Sequence, residues 1–186
     1  MNMRYFVTVV LFIASMTGAK AKNNISVDYT EESELVSVIA HLAKVPGYIW
    51  PEEQAGVIDY FHQVDSTFAP YSNHPIMAFV ADSLVKQGFG YHVPVAMALR
   101  LKLKNGKLHY NTDLETDFNH YYRGITPQHE KKLIALLEDF YKKAHFHSFF
   151  KKNQPLYNAC KQAMQQQLVD KIDLDWYKSF FGPINN

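Results

Sequence analysis

Cysteine is nearly absent from this chain of 186 residues: Cys160 stands alone. One thiol forms no internal disulfide, so packing must hold the fold together. There is no C-x-x-C pair, no G-x-S-x-G elbow and no phosphate-cradling glycine loop. Dithiol redox chemistry, the elbow-type serine hydrolases and P-loop nucleotide chemistry therefore have no sequence support. A long apolar run is also lacking. The stretch Phe6 to Met16 has 11 residues, well short of the roughly 18–20 needed to cross a bilayer as a helix.

That short run has the flanks of an export signal. Arg4 supplies a positive charge before it, and Ala19-Lys20-Ala21 offers small residues for cleavage. Residues 1–21 are read as a signal peptide cut after Ala21, and no cysteine near the cut suggests a lipid anchor. The mature chain would carry 17 Lys+Arg against 18 Asp+Glu, a net charge of −1. Such a balance gives no bulk attraction to nucleic acid or to an anionic membrane. It implies no nucleic-acid partner, and no later segment is long and apolar enough to span a membrane.

Aromatic residues are abundant, at 15% of the chain. That argues against disorder and for a sizeable core. Residues 22–30 read as an extended leader or a brief strand. Thr30 is placed to cap a helix with Glu31, Glu32 and Glu34 in its first turn. Further helices are predicted over about 53–66, from Pro75 to a stop at Gly88, and from Pro94 to about 101. Leu101 to Lys104 and Lys107 to Tyr110 flank Asn105-Gly106, a fair hairpin signal. Residues 111–125 read as a polar loop. Thr126-Pro127 opens the clearest amphipathic pattern, with Leu133, Leu136, Leu137 and Phe140 at helical spacing. Short helices are predicted over 145–152, from Asn153 to about Val169 with Pro155 in the first turn, and over 173–181 before Gly182. The expected fold is mainly α: a single domain over 31–182 of seven or eight helices, with one minor β-hairpin near 99–110 and a tail at 183–186.

Nine histidines raise the question of a metal. A zinc-hydrolase helix needs H-E-x-x-H, which sets two imidazoles one turn apart with a Glu to polarise water. The nearest approach is His129-Glu130-Lys131-Lys132-Leu133, where Leu133 belongs to the apolar stripe. His145 and His147 form an H-x-H pair whose rings diverge by about 200° on a helix, and they read as polar neighbours of a buried Phe146. His74, before Pro75, reads as a turn or capping residue. Cys160 reads as a small buried core residue, with a reactive thiol as the alternative. The pairs Tyr121-Tyr122, Phe149-Phe150 and Phe180-Phe181 read as core, or as the lining of a ligand groove. No catalytic or metal-ligating residue, and no cofactor, is assigned.

Three stretches together carry a resemblance. They are Glu34 to Ala43; Phe68-Ala69-Pro70-Tyr71-Ser72-Asn73-His74-Pro75 followed by Gly90-Tyr91; and the run from Phe140-Tyr141 through Phe149-Phe150 and Leu156-Tyr157 to Asp175-Trp176-Tyr177 and Phe180-Phe181-Gly182. In this order the set resembles a family of exported Bacteroidetes proteins with a domain of unknown function, over about residues 32–182. The resemblance implies zinc metallopeptidase-like full-length members, whose histidine–glutamate helix lies well beyond the glycine matched by Gly182. The present sequence ends four residues after that glycine. It is therefore expected to correspond to the non-catalytic N-terminal half, without activity alone. A separate C-terminal half or a peptide or protein ligand is the implied partner, and the periplasm or the exterior of a diderm bacterium the implied location. Tyr71, His74, Pro75 and Trp176 are the matched residues, in a structural or cleft-shaping role. The alternative is an exported zinc-dependent peptidase or other hydrolase, its metal held by scattered histidines or by a separately encoded half.

Overall fold

A computed structural model describes residues 25–49, 58–110 and 124–182. The signal-peptide reading, the start of the second helix, most of the 111–125 loop with Tyr121-Tyr122, and the tail lie outside these residues. The fold is mainly α, with seven α-helices and one two-stranded antiparallel sheet among the described residues. The chain divides into two compact units, Tyr29–Tyr157 and the terminal residues Met1–Asp28 with Asn158–Asn186.

In the larger unit, α1 spans Glu31–Leu42. The Thr30 side chain caps it by accepting from the Ser33 N–H, and its first-turn glutamates offset the positive helix end. Its buried face is Leu35, Val36, Val38, Ile39 and Ala40. The helix ends in a Schellman arrangement: Lys44, at φ 54°, bonds the His41 carbonyl, and Val45 bonds that of Ala40. Helix α2 (Ile58–Phe68) runs into a short 3₁₀ turn, Ala69–Tyr71. Helix α3 (Pro75–Ala78) continues through a π turn (Phe79–Leu84) and a 3₁₀ turn (Val85–Gln87). The predicted stop holds. Gly88 adopts φ 90°, its N–H bonds Val85, that of Phe89 bonds Leu84, and Leu84 and Phe89 are both buried.

Helix α4 (Val93–Ala98) buries Val93, Pro94, Met97 and Ala98. It is shorter than predicted, because the period-two pattern from Leu101 onward wins. Strand β1 (Leu101–Lys104) pairs with β2 (Lys107–Tyr110), in register Leu101↔Tyr110 to Lys104↔Lys107. Asn105 and Gly106 both take positive φ, 52° and 73°, as a two-residue primed turn requires. Helices α3, α4 and α5 and strand β1 pack on α1, and β2 packs on α5.

Helix α5 (Pro127–Lys143) opens with a capping box that the sequence hid. Thr126 Oγ1 accepts from the His129 N–H, and His129 Nδ1 accepts from the Thr126 N–H. Histidine takes the place usually held by Glu or Gln. Helix α6 (Phe146–Gln167) corrects the sequence expectation of two helices. Pro155 sits inside it rather than in a first turn, and Asn153 is buried, donating to the Phe149 carbonyl at 3.0 Å. Proline removes the bond to the Lys151 carbonyl and crowds that carbonyl with its ring, but Lys151 is exposed and the helix continues past it. Phe68, Phe140, Phe146 and Phe149 form the centre of the core, with ring centroids 4.9–5.8 Å apart.

In the smaller unit, residues 25–28 carry no strand pairing. They are tied to α6 by Gln165, whose side-chain oxygen accepts from Val27 N–H at 2.8 Å while its nitrogen donates to the Ile25 carbonyl at 3.2 Å. One amide side chain thus does the work of a neighbouring strand. Lys161 pairs with Asp28 at 3.0 Å. A 3₁₀ turn, Val169–Lys171, leads to α7 (Leu174–Phe181), where Asp173 accepts from the Trp176 N–H.

Candidate functional site

The polar groups that could carry chemistry gather around α1. Glu31 and Glu34 stand three residues apart, on neighbouring positions of one helix face. Glu34 accepts from the Tyr60 hydroxyl, and Tyr60 and Tyr157 hydroxyls are 3.0 Å apart. Tyr29, Phe149 and Phe150 pack against these two phenols. Burial pushes the Glu34 carboxyl up from its ordinary value, against the lowering effect of the tyrosine hydrogen bonds. Burial first, then the charge of Glu34, pushes both phenols up. They remain neutral donors.

Glu31 is the more open of the two carboxylates. It accepts from Tyr141 Oη at 3.0 Å and from His147 Nδ1 at 3.0 and 3.2 Å. Burial and the Glu31 hydrogen bond raise the Tyr141 phenol. His147 is exposed, and its Nε2 has no hydrogen-bond partner among the described residues. A carboxylate that orients an imidazole through Nδ1 and leaves Nε2 to solvent is a competent proton-transfer pair.

The matched residue His74 has both nitrogens engaged. Nδ1 accepts from Ile76 N–H, capping α3, so Nε2 carries the proton and donates to Asp139 at 3.0 Å. Lys143 also pairs with Asp139, at 2.8 Å, and with His74 holds that carboxylate below its usual range. Pro75 occupies the first turn of α3, where it needs no N–H. Tyr71 donates to the Lys143 carbonyl at 2.9 Å, satisfying one of the free carbonyls at the end of α5. Tyr71 and His74 thus tie the turn before α3 to α5, and Pro75 starts α3 beside them. Trp176 lies in the other compact unit, exposed on α7.

His41 has a similar structural setting. Nδ1 faces the Tyr48 carbonyl and Nε2 the Asp65 carboxylate, while the ring stacks on Phe61 at 4.3 Å. His145, at φ 50°, forms the turn between α5 and α6 and does not share a ligand with His147. Among the described residues, no group of three His, Cys, Asp or Glu side chains lies close enough to hold a metal. Glu31 and His147 supply two donors, whereas a zinc site takes at least three from the protein. These donors do not fit zinc.

Two expectations are corrected. Cys160 is exposed rather than buried. It lies on the exposed stretch of α6 that follows Tyr157. Phe180 and Phe181 are also exposed rather than core, while Phe149 and Phe150 are buried as expected. The Glu31 and Glu34 clusters escaped the sequence reading because their partners are 26 to 123 residues distant, and the two glutamates already had a local explanation at the helix start. No protein-family model, curated protein or solved structure matches the chain.

Proposed function

We propose that the chain is an exported, non-catalytic helical domain that acts by binding, as the resemblance to the N-terminal half of metallopeptidase-like proteins suggests. What supports this reading above all is the employment of the matched residues. Tyr71 and His74 are hydrogen-bonded to α5, Pro75 opens α3, and His74 has no nitrogen left for a substrate. Residues used in this way position a scaffold. On this reading the protein reaches the periplasm or the exterior after cleavage near Ala21, and its partner is a separate C-terminal half or a peptide or protein ligand.

Metal content and activity test it together. Purified chain should contain no stoichiometric zinc and should not cleave unstructured peptides. Mass measurement of the exported form should place its first residue at Lys22.

One observation favours the hydrolase reading: the Glu31–His147 pair with its outward Nε2. Peptidase activity lost on His147→Ala, and zinc lost on replacing His145 and His147, would establish it in place of the first.

A further inference from the structure

The near-neutral net charge conceals a strongly uneven distribution. Between Asp82 and Asp113, thirty consecutive residues contain no Asp or Glu and five Lys or Arg. The rest of the chain has fourteen Lys+Arg against eighteen Asp+Glu. This segment builds α4 and the β1–β2 hairpin.

Both elements rest on α1 and turn their other faces outward. In the hairpin, Leu101 and Leu108 are buried, so the alternate positions point away from the core. Those positions are Lys102, Lys104, Lys107 and His109, and all but the half-buried Lys102 are exposed. The register sets Lys104 directly opposite Lys107 and Lys102 opposite His109. Lys104 and Lys107 are thus like charges directly across the strand pair, an arrangement that weakens it.

Beside this cationic face lies an apolar one. Val95 and Leu99 lie four residues apart, away from the buried Val93, Pro94, Met97 and Ala98 of α4, and Tyr91 precedes them in the turn that leads into the helix. Tyr91 is 73% exposed and Leu99 56% exposed. Tyr91 is also held in the left-handed region at φ 51°, unfavourable for an aromatic residue. Its N–H bonds the Pro46 carbonyl at 2.8 Å, and its Cα comes so close to Gly47 that a Cβ there would lie 3.0 Å from it. The backbone is thus fixed with a tyrosine ring in solvent. Leu99 lies two residues before β1, so the exposed apolar residues and the lysines belong to consecutive elements that both rest on α1.

We propose that this surface docks the protein on an anionic phospholipid bilayer. Lysines meet the headgroup phosphates while Tyr91, Val95 and Leu99 enter the interfacial layer. A soluble polyanion would use the lysines and leave the apolar stripe in water. A bilayer uses both, and that combination decides for it.

Co-sedimentation with vesicles tests this on the full chain. Vesicles of equal parts phosphatidylcholine and phosphatidylglycerol should bind, in a salt-sensitive way, more tightly than phosphatidylcholine alone. Replacing Lys104 and Lys107 by Gln should weaken binding about twenty-five-fold, from roughly fivefold per basic residue. That variant loses like-charge repulsion, so its melting temperature should not fall, and unfolding cannot mimic the result. The pair Tyr91→Asn and Leu99→Gln should weaken binding about tenfold, from the apolar area withdrawn. Asn tolerates the left-handed backbone at position 91. An environment-sensitive dye on Val95→Cys, in a Cys160→Ser background, should shift to the blue with anionic vesicles, and the same dye on native Cys160 should not. This readout separates the proposed face from the apolar run Phe6–Met16. An unshifted dye at position 95 would overturn the proposal. So would binding unchanged by the lysine variant, or equal affinity for a soluble polyphosphate that ignores the Tyr91 and Leu99 changes.

Discussion

Phe140, Phe146 and Phe149 are no more than 6% exposed, whereas Phe180 and Phe181 are 68% and 72% exposed. Both sets lie on amphipathic helices, and both read as core on pattern alone. The first set has partners from several elements: Phe68 from α2, Phe140 from α5, and Phe146 and Phe149 from α6. The second set has ring contacts within its own helix, Trp176 with Phe180 and Tyr177 with Phe181. Amphipathic spacing says which face of a helix is apolar. Whether that face is buried depends on what lies opposite, and the local pattern does not contain that information.

The largest test of this contrast is truncation of the buried set. Phe140→Ala should destabilise the fold by about 3–5 kcal/mol, because the cavity is walled by Phe68, Tyr71 and His74 and cannot readily collapse. Chemical denaturation, followed by circular dichroism, reads the shift in midpoint.

Next comes the joint beside that ring. His74→Ala removes the cap of α3 and the bond to Asp139, and should destabilise by about 1–2 kcal/mol. His74→Asn can still cap, so it should recover part of the loss. Equal losses in the two variants would show that packing against Phe140, rather than the cap, is what matters.

A smaller effect lies at the polar edge of the aromatic cluster. The Glu34 carboxyl is raised in the folded state, so the folded protein binds its proton more tightly than the unfolded chain does. Stability should therefore fall as pH rises from about 4.5, the ordinary value, through the folded one. Asp139, lowered chiefly by Lys143, acts with the opposite sign: its contribution is present above the ordinary value of 3.8 and is lost as pH falls from there through the lower folded one. Glu34→Gln should flatten the descending limb, at most about 1.4 kcal/mol per pH unit, and leave the acid limb intact. A descending limb that persists in Glu34→Gln would place its origin elsewhere.

Local chemistry explains which parts of the structure were legible. Thr30, Pro75, Gly88, Asn105-Gly106 and Thr126-Pro127 all mark their boundaries through short-range requirements, and each boundary stands where the sequence placed it. Pro155 misled because its cost to a helix, one lost bond and a crowded carbonyl, is local, and the same helix carries the core packing of Phe146, Phe149 and Phe150. The capping role of His74 was legible from the proline that follows it. Its bond to Asp139, and the meeting of Glu34 with Tyr60 and Tyr157, depend on tertiary packing and have no spacing signature.

The smallest expected effect belongs to the exposed aromatic helix. Trp176 and Phe180 stack at 5.4 Å with planes 10° apart, an i,i+4 pair on α7. Such pairs stabilise a helix by about 0.2–0.5 kcal/mol, far less than a buried ring contributes. Phe180→Ala should therefore shift the unfolding midpoint by no more than about 0.5 kcal/mol, in line with other exposed positions. Helicity by circular dichroism should change little, since alanine is the stronger helix former. A loss of 2 kcal/mol or more would mean that the ring is covered in solution. The contrast with Phe140 would then be one of partner, not of burial, and the apolar face of α7 would have to be counted with the core.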